Sequence, residues 1–140
     1  MRFSLCALSL LLLSSFALAE QKQTFGTYEV HYIVVPTTFL NDKIAAQYDL
    51  TRGKDRALVN ISVLDESLTP VPATVNGSSR NLLEQQQEFE FNEVREGTAI
   101  YYLALMRHGN EEHRRFSIEV VLPDGEIATL NWQQKMYWEE

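Results

Sequence analysis

The chain has 140 residues, with 12 Lys and Arg against 19 Asp and Glu, for a net charge of −7. That balance argues against non-specific binding to nucleic acid or to an anionic membrane, because both need basic surface to release counterions or meet headgroups. The single cysteine, Cys6, lies near the start, so the rest of the chain offers no disulfide, no thiol nucleophile and no thiolate metal site.

Residues 1–19 read as a secretory signal peptide. Arg2 is the positive n-region, Phe3 to Phe16 form an apolar run too short to span a bilayer comfortably, and Ala17-Leu18-Ala19 is a small-x-small cleavage site before Glu20. Cleavage there removes Arg2 and Cys6, makes the remainder more acidic, and leaves residues 20–140 as a single β-sandwich domain large enough for a substantial core. A lipid anchor needs a cysteine beside the cleavage site, and Ala19-Glu20 occupies that junction, so the expectation is an exported protein with no membrane anchor.

From Tyr28 the hydrophobic period is two, with Tyr28, Val30, Tyr32 and Val34 on one side of a strand and Glu29 and His31 on the other. Pro36 ends or kinks it, since proline cannot donate to a sheet ladder. Asn41 can cap a short helix over Asp42 to Tyr48, the one convincing helical segment. Alternation resumes over Ala57 to Leu64. Pro70, Pro72 and Asn76-Gly77-Ser78-Ser79 predict turns on either side of a weak strand at Ala73 to Val75. Leu82 to Gln87 is ambiguous between helix and strand, and Glu88 to Val94 reads as one strand with Phe89 and Phe91 inward. Ile100 to Met106 is apolar on both faces, which predicts a central strand covered on both sides. Arg115 to Leu122 and Glu126 to Gln134 form a hairpin around Pro123-Asp124-Gly125, with Gly125 in the left-handed position. The fold class that follows is all-β with one short helix: an immunoglobulin-like antiparallel β-sandwich of about seven strands, a small barrel being the alternative.

Two groups of residues are candidate sites. Arg52, Lys54 and Arg56 form a local basic cluster around Gly53 that could dock a carboxylate, a phosphate or an acidic partner, although charge runs are more often solvated faces. His108 and His113 flank Gly109-Asn110-Glu111-Glu112, and a hairpin loop there would bring two imidazoles and a carboxylate within reach of a metal. His31 alternates outward beside Glu29. No Gly-x-Ser-x-Gly nucleophile elbow and no phosphate-cradling glycine loop is present, so neither a catalytic residue nor a cofactor is assigned. Trp132, Met136, Tyr137 and Trp138 concentrate aromatic and apolar area near the carboxyl end, which core packing accounts for more simply than a ligand platform.

The segments Gln23 to Tyr32, Thr38-Phe39-Leu40, Thr51 to Val63 and Arg95 to Tyr102 together resemble a family of secreted gammaproteobacterial proteins catalogued as domain of unknown function 4426. The resemblance implies a periplasmic protein of a Gram-negative bacterium with no assigned activity. Ile33 and Pro36 depart from it, standing where the family is often polar. Two functions follow as expectations. The first is a non-enzymatic binding or accessory module engaging a periplasmic protein or envelope component. The second is a small metal-dependent or hydrolytic enzyme using His108 and His113, or His31, with nearby carboxylates.

Overall fold

The structure is a computed structural model and describes residues 20–139; the segment 1–19, where the sequence predicts a signal peptide, lies outside the described residues. The described chain forms an antiparallel β-sandwich. One sheet has five strands, β1 (Gln21–Phe25), β2 (Tyr28–Pro36), β3 (Arg56–Leu64), β7 (Ala99–Arg107) and β6 (Asn92–Glu96), side by side in that order. The other has four, in the order β5 (Gln86–Phe89), β4 (Thr74–Arg80), β8 (Glu112–Val121) and β9 (Ile127–Met136). The chain crosses between sheets three times, after β3, after β5 and after β7.

The all-β class and the sandwich are as the sequence predicts, but there are nine strands among the described residues where about seven are expected. Two differences account for the count, and a third moves a strand that was expected. β1 is a polar edge strand with almost no buried side chain, so no hydrophobic period announces it. Glu88 to Val94 is two short strands in different sheets, and the period hides the break because Phe89 and Phe91 both turn inward, 5.9 Å apart edge to face. Asn76-Gly77-Ser78-Ser79 is the middle of β4 and not a turn.

The turn-prone composition of β4 has a packing cause. A Cβ on Gly77 would lie 2.5 Å from Ile118 Cδ1 and 2.6 Å from the Ser117 carbonyl oxygen, so β8 approaches too closely for any side chain. Ser79 is buried because it receives a hydrogen bond described below. The predicted hairpin is present as β8 and β9, with Gly125 at φ +90°.

Inward side chains of both sheets fill the core. Val30, Val59, Ile61, Val63 and Met106 from the first sheet meet Ile118, Val120 and Leu130 from the second, all wholly buried. Trp132 joins the sheets, stacked on Phe116 at 4.6 Å and 4° and tilted against Tyr32 at 4.6 Å. Such aromatic pairs add about 0.5–1.5 kcal/mol each beyond the area they bury.

β7 is covered on both faces, as its sequence predicts. Its outer Leu103 and Leu105 lie under the excursion between β2 and β3, where Tyr48 donates a hydrogen bond to Glu96 on β6 and, with Asp49 and Leu50, lines a cleft over the two leucines. The short helix α1 (Asp42–Gln47) in that excursion starts at the predicted cap, with Asn41 Oδ1 accepting from the Ile44 N–H at 2.8 Å. Ala45 is its buried residue, and Ile44 remains partly exposed.

Gly77→Ala should lower unfolding free energy by about 1–3 kcal/mol, the range for overpacking a rigid site. Urea denaturation followed by tryptophan fluorescence measures it. An unchanged midpoint would show that β4 and β8 can separate to admit a methyl group.

Candidate functional site

At the end of the sandwich where β4, β7 and β9 stop and β5 and β8 start, the gap between sheets is filled by polar groups. Arg114 points inward from β8 and is 8% exposed. Its guanidinium donates to Glu112 Oε1 at 3.0 Å, to Ser79 Oγ at 2.7 Å and to the Arg107 carbonyl at 2.8 Å. The last bond crosses from the second sheet to the first. Glu112 also accepts from the Gly109 N–H at 3.0 Å and from Asn81 Nδ2 at 3.1 Å. Burial pushes the Glu112 carboxyl up, but the bonds from Gly109 and Asn81 and the charge of Arg114 outweigh it, and the group ends below its ordinary value.

Asn81 carries this network to the surface. It is buried, and its Oδ1 accepts from the N–H groups of Leu83 and Gln85 while Nδ2 reaches the Gln85 side chain at 2.7 Å. The loop between β4 and β5 is thereby held in one shape. It presents Leu82 and Leu83 to solvent at 72% and 79% exposure, and it places Glu84 at φ +64°, a left-handed conformation that side chains rarely adopt.

From that position the Glu84 carboxylate reaches two arginines. Arg115 donates to one of its oxygens and Arg80 to the other at 3.3 Å. Arg80 and Arg115 sit directly opposite each other on β4 and β8, and both point outward. The Arg115 guanidinium bonded to it holds the Glu84 carboxyl below the usual range. Beside the pair lies a concavity of about 300 Å³ lined by Ser78, Ser117, Asn131 and Gln133 together with the two arginines, Phe116 and Trp132.

The residues singled out by sequence lie elsewhere, and several already have partners within the chain. Arg52 pairs with Asp42 at 2.5 Å and donates to the Thr38 carbonyl, Arg56 is 3.5 Å from Asp55, and the Lys54 ammonium sits 4.7 Å above the Trp138 ring. His108 is buried, its Nδ1 2.9 Å from the Gly109 carbonyl, and its own carbonyl accepts from Trp138 Nε1. The basic loop and the His108 segment are thus neighbours through Trp138. His108 and His113 do not flank a hairpin loop, however, because β7 pairs with β3 and β6 while β8 belongs to the other sheet. His113 has both ring nitrogens buried without a hydrogen-bond partner. His31 lies on the outer face of the first sheet between Glu20 at 3.2 Å and Glu29 at 3.0 Å. Among the described residues no group of three or more His, Cys, Asp or Glu is placed to hold a metal ion.

Sequence reasoning passed over Arg80, Arg115, Glu84 and Asn81. The signal was faint: two arginines 35 positions apart meet only once β4 and β8 are paired, and β4 reads as a turn. Period-two alternation of β8 does place Arg115 outward, but it also places Arg114 in the core, which charge alone argues against.

The model of a family described as a domain of unknown function, DUF4426, matches residues 22–139. The chain belongs to that family. A DUF4426 family protein from Pseudomonas aeruginosa PAO1 is similar in structure, with 30% identity and a TM-score of 0.79 over 89% of this chain and 100% of that one. FetP from uropathogenic Escherichia coli strain F11 is more distant. A copper-bound variant of it shares 10% identity at a TM-score of 0.58, over 86% of this chain and 97% of that one. FetP as isolated gives the same two values over 87% and 96%. At that identity the likeness is one of fold. No curated protein matches the sequence.

In this DUF4426 protein the buried pair makes a pH-dependent contribution to stability. Because folding lowers the Glu112 carboxyl below its ordinary 4.5, the contribution is full above that value and is lost as the pH falls through the lower, folded one. Glu112→Gln should cost roughly 3 kcal/mol at neutral pH, the low end for breaking a buried pair, since Glu112 keeps 22% of its side chain exposed. The variant should also lose part of the acid sensitivity below pH 4.5. Thermal melts of both proteins across that range measure this; parallel curves would refute it.

Proposed function

We propose that this DUF4426 protein is a periplasmic, non-enzymatic binding or accessory module that engages a protein or envelope component. The address is supported by the leader pattern of Arg2, the apolar run and Ala17-Leu18-Ala19.

The observation that carries the reading is the loop between β4 and β5. Adjacent exposed leucines are not unusual in themselves, but Leu82 and Leu83 sit on a loop held by a buried asparagine, and the next residue of that loop, Glu84, bonds the two arginines that line a concavity. Burying such a leucine against a partner is worth about 1.5–3 kcal/mol. An ordered apolar knob beside a polar recess is the anatomy of a contact surface, in which an anchor is surrounded by groups that fix orientation.

The enzyme alternative has less support. His31 and His113 lie on different sheets, and neither His31 nor the His108–His113 segment belongs to a group of three or more His, Cys, Asp or Glu placed to hold a metal ion among the described residues. His108 follows the end of β7, where its carbonyl accepts from Trp138 Nε1 of the carboxyl-terminal segment.

The test has two parts. The exported protein should be recovered from the periplasmic fraction with Glu20 at its amino terminus, as terminal sequencing would show. Affinity capture from the same extract should retain a partner that Leu82→Ser/Leu83→Ser loses, with the melting temperature unchanged. Identical retained proteins from both baits would sink the reading, as would recovery of the protein from the cytoplasm alone.

A further inference from the structure

We propose that the concavity on the outer face of the β5-β4-β8-β9 sheet binds a small sugar acid, a ligand with one carboxylate beside several hydroxyls, and that the Glu84 carboxylate holds its place in the free protein. The proposal rests on the binding-module reading and names the chemistry of its recess.

The first reason is the cost of the arginine pair. Like charges directly opposite on adjacent strands destabilise a sheet, and Arg80 faces Arg115 in that relation. A single carboxylate from the neighbouring loop bridges them, one oxygen to each guanidinium, which is the contact a bound carboxylate would make. Glu84 is 60% exposed and its ion pairs are correspondingly weak, so an incoming carboxylate can replace it. Glu84 reaches both arginines from a left-handed backbone position at φ +64°.

The second reason is the lining. Ser78, Ser117, Asn131 and Gln133 each supply both donors and acceptors. Sugar hydroxyls do the same, whereas inorganic phosphate, with about one or two P–OH donors near neutral pH, matches fewer of the acceptor oxygens of the recess. The volume, about 300 Å³, lies at the lower end for small-molecule sites.

The third is polarity along the sheet. A second recess, lined by Asn76, Glu88 and Glu119, continues from the first through the shared Ser78 and Ser117. Its carboxylates repel a second anionic group but accept hydrogen bonds from hydroxyls. A ligand therefore lies one way round, with its carboxylate on Arg80 and Arg115 and its neutral hydroxyls toward Glu88 and Glu119.

Isothermal titration calorimetry of the purified exported protein with glucuronate, glucose and inorganic phosphate tests this. Glucuronate should bind, and glucose and phosphate should each bind on the order of tenfold more weakly, because each lacks one half of the match. Glu84→Gln, which removes the internal competitor's charge, should tighten glucuronate by up to about fivefold. Arg115→Lys keeps the charge and loses the fork, and should weaken it on the order of tenfold at unchanged melting temperature. Phosphate binding as tightly as glucuronate would make the site a plain anion trap and overturn the proposal, as would glucose doing so. No glucuronate binding to either the native protein or Glu84→Gln would also overturn it. That last result would leave Leu82- and Leu83-dependent capture standing, so the two failures are distinguishable.

Discussion

Residues 20–139 contain no cysteine, and the two sheets have to be kept in one relative position without a covalent link. Immunoglobulin domains solve that problem with a disulfide between sheets. Here the middle of the sandwich is held by Trp132 wedged against Tyr32 and Phe116, and the end by the Arg114 guanidinium donating to the Arg107 carbonyl. Hydrophobic packing resists separation of the sheets but is tolerant of sliding. A guanidinium with three fixed acceptors is not. Taking a charged pair out of water consumes most of what its attraction supplies, so Arg114 and Glu112 add little net stability over well-packed leucines. What they supply is position. The offset of β8 against β7 is set by hydrogen bonds whose lengths cannot change by an ångström without stranding a buried charge.

That constraint propagates outward through Asn81. One of its amide hydrogens goes to Glu112 and its oxygen fixes two backbone N–H groups of the loop beyond β4. The order of that loop is therefore inherited from the core, and so are the positions of Leu82, Leu83 and Glu84. A recognition element on a surface loop loses affinity when binding has to freeze it. Here the freezing is already done by a residue 7% exposed. Core network, loop and recess form one mechanical unit, although they come from β4, β7 and β8, which span both sheets.

Where one physical rule governed a segment, its structure was legible in the sequence. The alternation of β2, β3, β8 and β9, the two-faced hydrophobicity of β7, the Asn41 cap and the Gly125 turn each follow from a local pattern with one cause. Legibility failed where a residue answered to something distant. Gly77 and Ser79 look like a turn, but one is small because Ile118 leans on it and the other polar because Arg114 needs an acceptor. Phe89 and Phe91 share a period while their strands do not share a sheet. The basic cluster at Arg52, Lys54 and Arg56 was visible because its members are close in sequence. Arg80 and Arg115 were not, because only strand pairing brings them together. Contiguous charge is easy to see and easy to answer locally, as Asp42 and Asp55 do by pairing and Trp138 by its ring face. Charge assembled across strands has fewer neighbours available to answer it.

The likeness to FetP illustrates the separation of fold from site. A sandwich of this kind can be shared at 10% identity because the inward positions need only be apolar and of suitable volume, whereas the outward positions are free to differ. On this chain the outer face of the β5-β4-β8-β9 sheet carries two arginines answered by one glutamate, within a molecule whose net charge is −7. An anion approaching from afar is repelled, and feels the arginines only within roughly 10 Å at moderate salt. Long-range steering therefore works against capture, and selectivity must come from short-range geometry: the fork, the hydroxyls of Ser78 and Ser117, and the acidic far end of the recess. A site built this way discriminates by shape and hydrogen bonding more than by charge. The buried Arg114–Glu112–Asn81 chain bears on recognition for this reason, because such discrimination fails once its donors drift.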